Sequence, residues 1–135
     1  SMFEQFKAQI RHLHTQLAQQ PQVQQLAVLL DAQQRPAMLV TFEPRSAQLQ
    51  LQRLDAVVEG REDAMQLWAL GAEGAPRSLG VLAPKLKTLQ LPADPKVFKG
   101  VRELAVSVED KGGVTDRQGP RLPYLFKGWW VQKAL

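Results

Sequence analysis

The chain has 135 residues and a net charge of +4, with 44% hydrophobic and 22% charged residues. This composition is typical of a globular domain that is long enough to bury its own core, and it is unlike that of disordered chains. The absence of cysteine excludes disulfides and thiolate metal sites. The basic residues are scattered and form no stripe interleaved with aromatics, so we expect no nucleic-acid binding.

Residues 2–20 are predicted to form a helix, because they are rich in Gln, Ala and Leu and contain no glycine or proline. The large apolar residues of this segment are spaced alternately three and four apart, as in the a/d seam of a coiled coil. They are Phe3, Phe6, Ile10, Leu13 and Leu17. Two interpretations are open at this point: the seam packs on the domain that follows, or it pairs with another copy of itself.

From residue 22 to residue 135 the pattern changes to short apolar or alternating runs separated by turn residues, which predicts strands. The run 47–54 alternates leucine with glutamine, as a half-buried strand does. The run 63–70 carries large side chains on both faces, so we expect a central strand there. Further strands are predicted at 25–31, 37–42, 77–83, 86–92, 103–109 and 124–132.

A short helical turn is predicted after Asp94, because this residue can cap it and Pro95 suits its first position. Turn signals recur every 8 to 12 residues elsewhere, and helices of crossover length are missing between the strands. We therefore predict an all-β fold, an antiparallel immunoglobulin-like β-sandwich with one N-terminal helix. No apolar run approaches the ~20 residues that cross a bilayer, so any membrane anchor is expected outside this sequence.

The titratable residues suggest no enzyme. His12 and His14 are two apart on the predicted helix, where they point in different directions and cannot hold a metal together. Glu59, Glu62 and Asp63 form a charged turn, which favours a solvated hairpin over the carboxylate pair of a glycosidase. We expect no catalytic residue, no metal and no cofactor.

Four aromatic residues raise the possibility of a platform on which sugars stack. They are Trp68, Tyr124, Trp129 and Trp130. Aromatic residues in strands are more often packed in a core or on a sheet, so packing is the preferred interpretation.

The stretch LAVSVEDKGG, residues 104–113, puts two carboxylates and two glycines after an alternating run. Leu104, Val106 and Val108 are expected to face the core, with the residues between them on the other face. The paired glycines supply the positive-φ freedom of a turn. We interpret the acidic residues here as a turn rather than as catalysts.

The order of motifs in the second half, QLW, then PRSLG, then LAVS-E with GG, then GP, resembles the C-terminal domain of the anti-sigma-K factor (RskA-like) family. The resemblance covers residues 26–128. Two departures fall in one loop: Asp110 replaces the usual proline, and residues 114–119 replace a Ser/Pro/Thr-rich stretch. The signature positions are Gln66, Leu67, Trp68, Gly80, Ser107, Glu109, Gly112, Gly113 and Pro120.

The resemblance implies the periplasmic domain of a single-pass anti-sigma factor in the inner membrane. The parent protein would bind a sigma factor through a cytoplasmic domain absent here, and site proteases would release that factor. Residues 2–20 would form a juxtamembrane stalk that can build a homodimer, and residues 22–135 a non-catalytic domain that senses a signal or guards against proteolysis. The alternative is a periplasmic carbohydrate- or peptide-binding module, using exposed tryptophans or a free sheet edge.

Overall fold

A computed structural model describes residues 1–19, 23–54, 63–84 and 86–134. Within these residues, one α-helix is followed by nine strands and one short 3-10 helix. The helix is α1 (Met2–Gln19), and the 3-10 helix is η1 (Pro95–Phe98). The strands are β1 (Val23–Leu30), β2 (Pro36–Glu43), β3 (Gln48–Arg53), β4 (Asp63–Gly71), β5 (Arg77–Val81), β6 (Thr88–Pro92), β7 (Val101–Asp110), β8 (Phe126–Trp129) and β9 (Val131–Ala134).

The described strands form one antiparallel sheet in the order β5-β4-β7-β8-β1-β2-β3-β6, and β9 extends the pairing of β8 along β1. The two end strands approach each other through side chains, since a Cβ atom at Gly80 would lie 3.4 Å from the Leu91 methyl groups. The sheet therefore curls into a nearly closed barrel or sandwich. The predicted all-β antiparallel class with an N-terminal helix is confirmed, and the immunoglobulin-like detail stays a prediction.

Alternation along the strands puts one face of the sheet into a single core. In β3 the side chains of Leu49 and Leu51 are fully buried, whereas Gln50 and Gln52 are exposed, as the sequence pattern predicts. The side chains of β1, β2, β4, β6, β7 and β8 that face the same way join this core. Its largest members include Leu29, Met38, Val40, Phe42, Leu67, Leu104, Val106 and Phe126.

Strand β4 is central, as predicted, because it pairs with β5 on one side and with β7 on the other. Met65 and Leu67 point into the main core. On the opposite face Gln66 and Trp68 are buried as well. A second, smaller buried layer therefore lies outside the main core.

Strand β7 departs from the prediction in two ways. Val108, expected in the core, is only half-buried, whereas Ser107 and Glu109 on the other face are buried. Ser107 and Glu109 are buried because residues 111–125, here called the cover segment, cross this face of β7 and shield it from water. The strand also continues to Asp110, so the turn begins at Lys111 and the acidic pair belongs to the strand.

The predicted final strand, 124–132, is two strands interrupted at Trp130. The backbone N–H of Trp130 donates to the carbonyl oxygen of Arg102 at 2.8 Å, and its ring stacks on Phe98 with 4.8 Å between the ring centroids. Phe98 ends η1, whose first turn is capped by Asp94 accepting from the Lys96 N–H at 2.9 Å. The capped turn is confirmed, and it places the ring that holds Trp130.

Helix α1, Met2–Gln19, lies within the predicted range 2–20, whose last residue is outside the described residues, but it lacks the packing of the first interpretation. The seam residues Phe3, Phe6, Ile10 and Leu13 are between 39% and 66% exposed, so the expectation that they pack on the domain is wrong for these four. The side chain of Leu17 lies outside the described part of the structure. No helix among the described residues has the length and apolar character needed to cross a membrane.

Candidate functional site

Four signature positions of β4 and β7 come together under the cover segment. Gln66 lies directly opposite Ser107 in the register of the two strands, and Ala64 lies opposite Glu109. Gln66, Trp68, Ser107 and Glu109 are each 2% exposed or less. Buried polar side chains require hydrogen-bond partners, and here the cover segment supplies several of them.

The side-chain amide of Gln66 holds the first half of the cover segment through two hydrogen bonds to the Val114 backbone, here called the clamp. Its Nε2 donates to the Val114 carbonyl oxygen at 2.9 Å, and its Oε1 accepts from the Val114 N–H at 2.9 Å. Nε2 also donates to Ser78 Oγ at 2.7 Å. Asp116 extends the attachment, since its Oδ1 accepts from the Ser78 N–H at 2.8 Å. The Gln66 carboxamide thus both donates to and accepts from the Val114 backbone, as the backbone of a neighbouring strand would.

The second attachment is made by Glu109. Its Oε2 accepts from the backbone N–H of Arg121 at 2.8 Å. The Arg121 guanidinium forms an exposed ion pair with Asp110, with 3.3 Å between Nη2 and Oδ1. A little further on, the Leu125 N–H donates to the Val106 carbonyl oxygen at 2.8 Å. The cover segment is therefore fastened near both of its ends, to β4 at its start and to β7 at its end.

Trp68 and Ser107 form a hydrogen bond with each other inside the second buried layer. The indole Nε1 donates to Ser107 Oγ at 2.8 Å, and both side chains are fully buried. The Ser107 hydroxyl is therefore already engaged and shielded from water, which is unsuited to a nucleophile. Among the described residues, no group of three or more His, Cys, Asp and Glu side chains could hold a metal.

Glycine is required where the cover segment begins. Gly112 and Gly113 have φ of 95° and 74°, in the left-handed region. A Cβ atom at Gly113 would lie 2.6 Å from Gln66 Oε1 and 2.6 Å from Val81 Cγ2, so the backbone could not approach the clamp with a side chain there. The Gln66 amide can therefore reach the cover segment only because residue 113 has no side chain.

The remaining signature positions lie elsewhere. Leu67 points into the main core on the opposite face of β4. Gly80, its partner in β5, has a φ of 138° and faces Leu91 across the seam between the end strands. Pro120 is half-buried in the cover segment. Gly112 is exposed. The structure therefore gathers Gln66, Trp68, Ser107, Glu109 and Gly113 in one layer and leaves the other four signature positions outside it.

The four aromatic residues do not form one platform. Trp68 is buried in the layer, and Trp130 stacks on Phe98. Only Tyr124 and Trp129 share a surface, and Trp129 is 66% exposed. Of the acidic residues considered above, Glu59 and Glu62 lie outside the described residues.

Tyr124 and Trp129 line an open groove of about 880 Å³ between β1, β8 and the end of the cover segment, here called the β1–β8 groove. Val28 and Leu30 of β1 and Leu122 of the cover segment add apolar surface. Burial raises the pKa of the Tyr124 hydroxyl, and the negative charge of Glu103 raises it further. No sequence motif indicated this groove, because residues 28–34, Glu103 and residues 122–129 come from separate parts of the chain.

Comparison with known families gives one match. The family model for the C-terminal part of the anti-sigma-K factor RskA matches residues 4–123. This chain belongs to that family. Neither the curated proteins nor the solved structures contain a significant match.

Membership in the RskA C-terminal family confirms the resemblance and makes the chain part of an anti-sigma factor, a regulatory protein whose partner is a sigma factor. The match begins within α1 and ends in the cover segment, whereas the motifs had indicated residues 26–128. It therefore includes four of the five seam residues, all but Phe3, and the attachments of the cover segment to Gln66 and Glu109. The division at residues 20–22 into a stalk and a domain stays a prediction.

Proposed function

We propose that this RskA-family domain is the extracytoplasmic, non-catalytic regulatory part of a membrane-anchored anti-sigma factor, and that it protects the parent protein from regulated proteolysis until a signal arrives. The observation that supports this proposal is the family match over residues 4–123. In the parent protein a cytoplasmic domain would bind the sigma factor, and a single membrane span would connect it to the juxtamembrane helix, residues 2–20.

The clamped cover segment fits a protective role. Proteases act on exposed, poorly anchored chain, and a segment of 15 residues without helix or strand would be such a site if nothing held it. Gln66 and Glu109 fasten it through backbone atoms. We propose that the signature positions are structural and keep this segment closed.

The exposed seam of α1 fits self-association. An isolated helix of 18 residues is marginal in water, and this one exposes an apolar stripe. We propose that the seam of Phe3, Phe6, Ile10, Leu13 and Leu17 mediates contact between two copies.

The topology is tested by fusing alkaline phosphatase to the C-terminus of the full-length parent protein. That enzyme needs disulfides, which form outside the cytoplasm, so an extracytoplasmic domain gives an active fusion. A fusion to the cytoplasmic N-terminal domain is the matched control and should be inactive. An inactive C-terminal fusion that is stably produced would contradict the proposed location.

Protection is tested with a reporter gene that depends on the cognate sigma factor. Gln66→Leu in the parent protein should release the cover segment, shorten the lifetime of the intact anti-sigma factor and raise reporter expression without a signal. Gln90→Leu changes an exposed strand glutamine and should leave both unchanged. Intact parent protein at wild-type levels in the Gln66 variant, with a released cover segment shown in vitro, would contradict protection.

A further inference from the structure

Most of the exposed large hydrophobic side chains of the described residues lie on two surfaces. One is the α1 seam, and the other is the β1–β8 groove, where Val28, Leu122 and Trp129 are 39%, 66% and 66% exposed. Contiguous apolar surface of this kind marks interaction sites. Both surfaces are open at the same time in a single chain.

The groove suits an apolar occupant. The charged groups at its rim are already paired, Glu103 with Lys127 at 3.5 Å and Asp31 with Arg35 at 3.3 Å. An apolar surface laid between them would therefore leave no charge without its partner. A highly polar ligand would have to compete with these pairs.

The seam matches the groove in chemistry. At a rise of 1.5 Å per residue the helix is about 27 Å long. The groove takes Val28 and Leu30 from the end of β1, so it receives part of the seam rather than its whole length. Glu4 and Arg11 lie on the helix face away from the seam and would stay in water. An amphipathic helix in an apolar groove is a recurrent mode of recognition.

We propose that α1 of one copy docks its seam in the β1–β8 groove of a second copy, and that the exchange is reciprocal. Each chain carries one seam and one groove, so a two-fold pair fills both and leaves neither open, which closes the assembly at two copies. This proposal rests on the self-association proposed above and names the surface that receives the seam.

Cysteine cross-linking tests the contact, because the natural chain contains no cysteine. Chains with Ile10→Cys in the seam are mixed with chains carrying Val28→Cys in the groove, and the mixture is oxidised at micromolar concentration. Docking brings the two thiols together, so the mixed disulfide should form about a thousandfold faster than for unassociated chains, since the effective concentration rises from the micromolar to the millimolar range.

Two controls are matched to these positions. Ala8→Cys lies on the opposite face of α1, and Gln50→Cys lies on an exposed position of β3 away from the groove. Mixtures that contain either control should cross-link at the unassociated rate. A single chain carrying both Ile10→Cys and Val28→Cys should give a covalent dimer, whereas a monomeric product would assign the groove to the helix of the same chain and overturn the exchange.

The remaining outcomes separate this proposal from the self-association on which it rests. Rapid homodimer cross-linking by Ile10→Cys alone, with no mixed disulfide, would show helix-to-helix pairing and overturn only the groove. A monomeric wild-type chain in sedimentation, with no rapid cross-link in any mixture, would overturn both. A saturable shift of tryptophan emission when soluble cell-wall glycan is added to the Phe6→Glu chain, lost in Trp129→Ala, would assign the groove to carbohydrate and overturn the docking.

Discussion

Single residues hold the cover segment, and each acts through a contact that its neighbour in sequence cannot make. Gln66 uses both ends of its amide on Val114, while Leu67 beside it packs in the main core. Gly113 leaves the space that the Gln66 amide occupies. The family signature therefore includes residues that lie far apart in the sequence and contact one another in the structure.

Gln66→Leu is expected to destabilise the domain by about 3 kcal/mol, because it removes the partners of the Val114 N–H and carbonyl groups in a shielded layer. Chemical denaturation measures this loss, and trypsin measures the release of the cover segment through cleavage after Arg117. Gln90→Leu is the control and should change neither. A stable Gln66→Leu chain that resists trypsin would show that the clamp does not hold the segment.

Gly113→Ala is expected to cost about 2–4 kcal/mol, because the new Cβ collides with Gln66 and the φ of 74° is strained for alanine. Gly112→Ala is the matched control: its φ of 95° is also left-handed, but nothing lies within 4 Å of the added Cβ. It should cost only the backbone strain, about 1–2 kcal/mol. Equal losses for both variants would rule out the proposed contact with Gln66.

At the scale of elements, the turn between β1 and β2 fixes their register through one side chain. Asp31 Oδ1 accepts from the N–H groups of Gln33 and Arg35 at 2.9 and 3.0 Å. Hydrogen bonds to a carboxylate stabilise its charged form. The Arg35 N–H is the largest influence, and with the other contacts it holds the pKa of Asp31 below its ordinary value of 3.8, although partial burial opposes the shift.

Because the pKa of Asp31 is lower in the folded chain, its contribution to stability is fully present above pH 3.8 and is lost as the pH falls through the folded value. Asp31→Asn keeps one acceptor oxygen but removes the charge. We expect the wild-type chain to be more stable than this variant near neutral pH and the difference to shrink below pH 3.8. Denaturation curves at several pH values measure it; a difference that grows on acidification would contradict this sign.

At the scale of the whole molecule, the described part of the α1 seam is not buried against the curled sheet. Its four residues are exposed, so they add little apolar burial to the sheet. The cover segment, by contrast, joins the clamp at its start to the wall of the β1–β8 groove at its end. A change in the clamp should therefore alter the position of the groove wall.

Deletion of residues 1–19 is expected to lower the melting temperature by no more than about 2 °C at low protein concentration, because the four described seam residues are exposed and their removal costs little burial. If α1 links two copies, the wild-type melting temperature should rise with concentration and that of the deleted chain should not, since association stabilises the folded state by mass action. Thermal melts over a hundredfold range of concentration measure both. If the chain without residues 1–19 did not fold, α1 would be part of the core.

The sequence predicted most of the local structure, because periodicity reports directly on local geometry. Leu49 and Leu51 against Gln50 and Gln52 specified the faces of β3, and Asp94 specified a cap. The family motifs pointed to Gln66 and Glu109 as signature positions, but their partners Val114 and Arg121 could not be read from any local pattern.

By itself the sequence determined the antiparallel β class, the N-terminal helix and its apolar seam, since each depends on residue type and spacing along the chain. Only the tertiary structure decided which strand faces are covered. It buried Glu109 where alternation had suggested an open face, stacked Trp130 on Phe98, and left Trp129 in a groove. These outcomes depend on contacts between residues that lie far apart in the sequence, and such contacts cannot be inferred from the spacing of residue types along the chain.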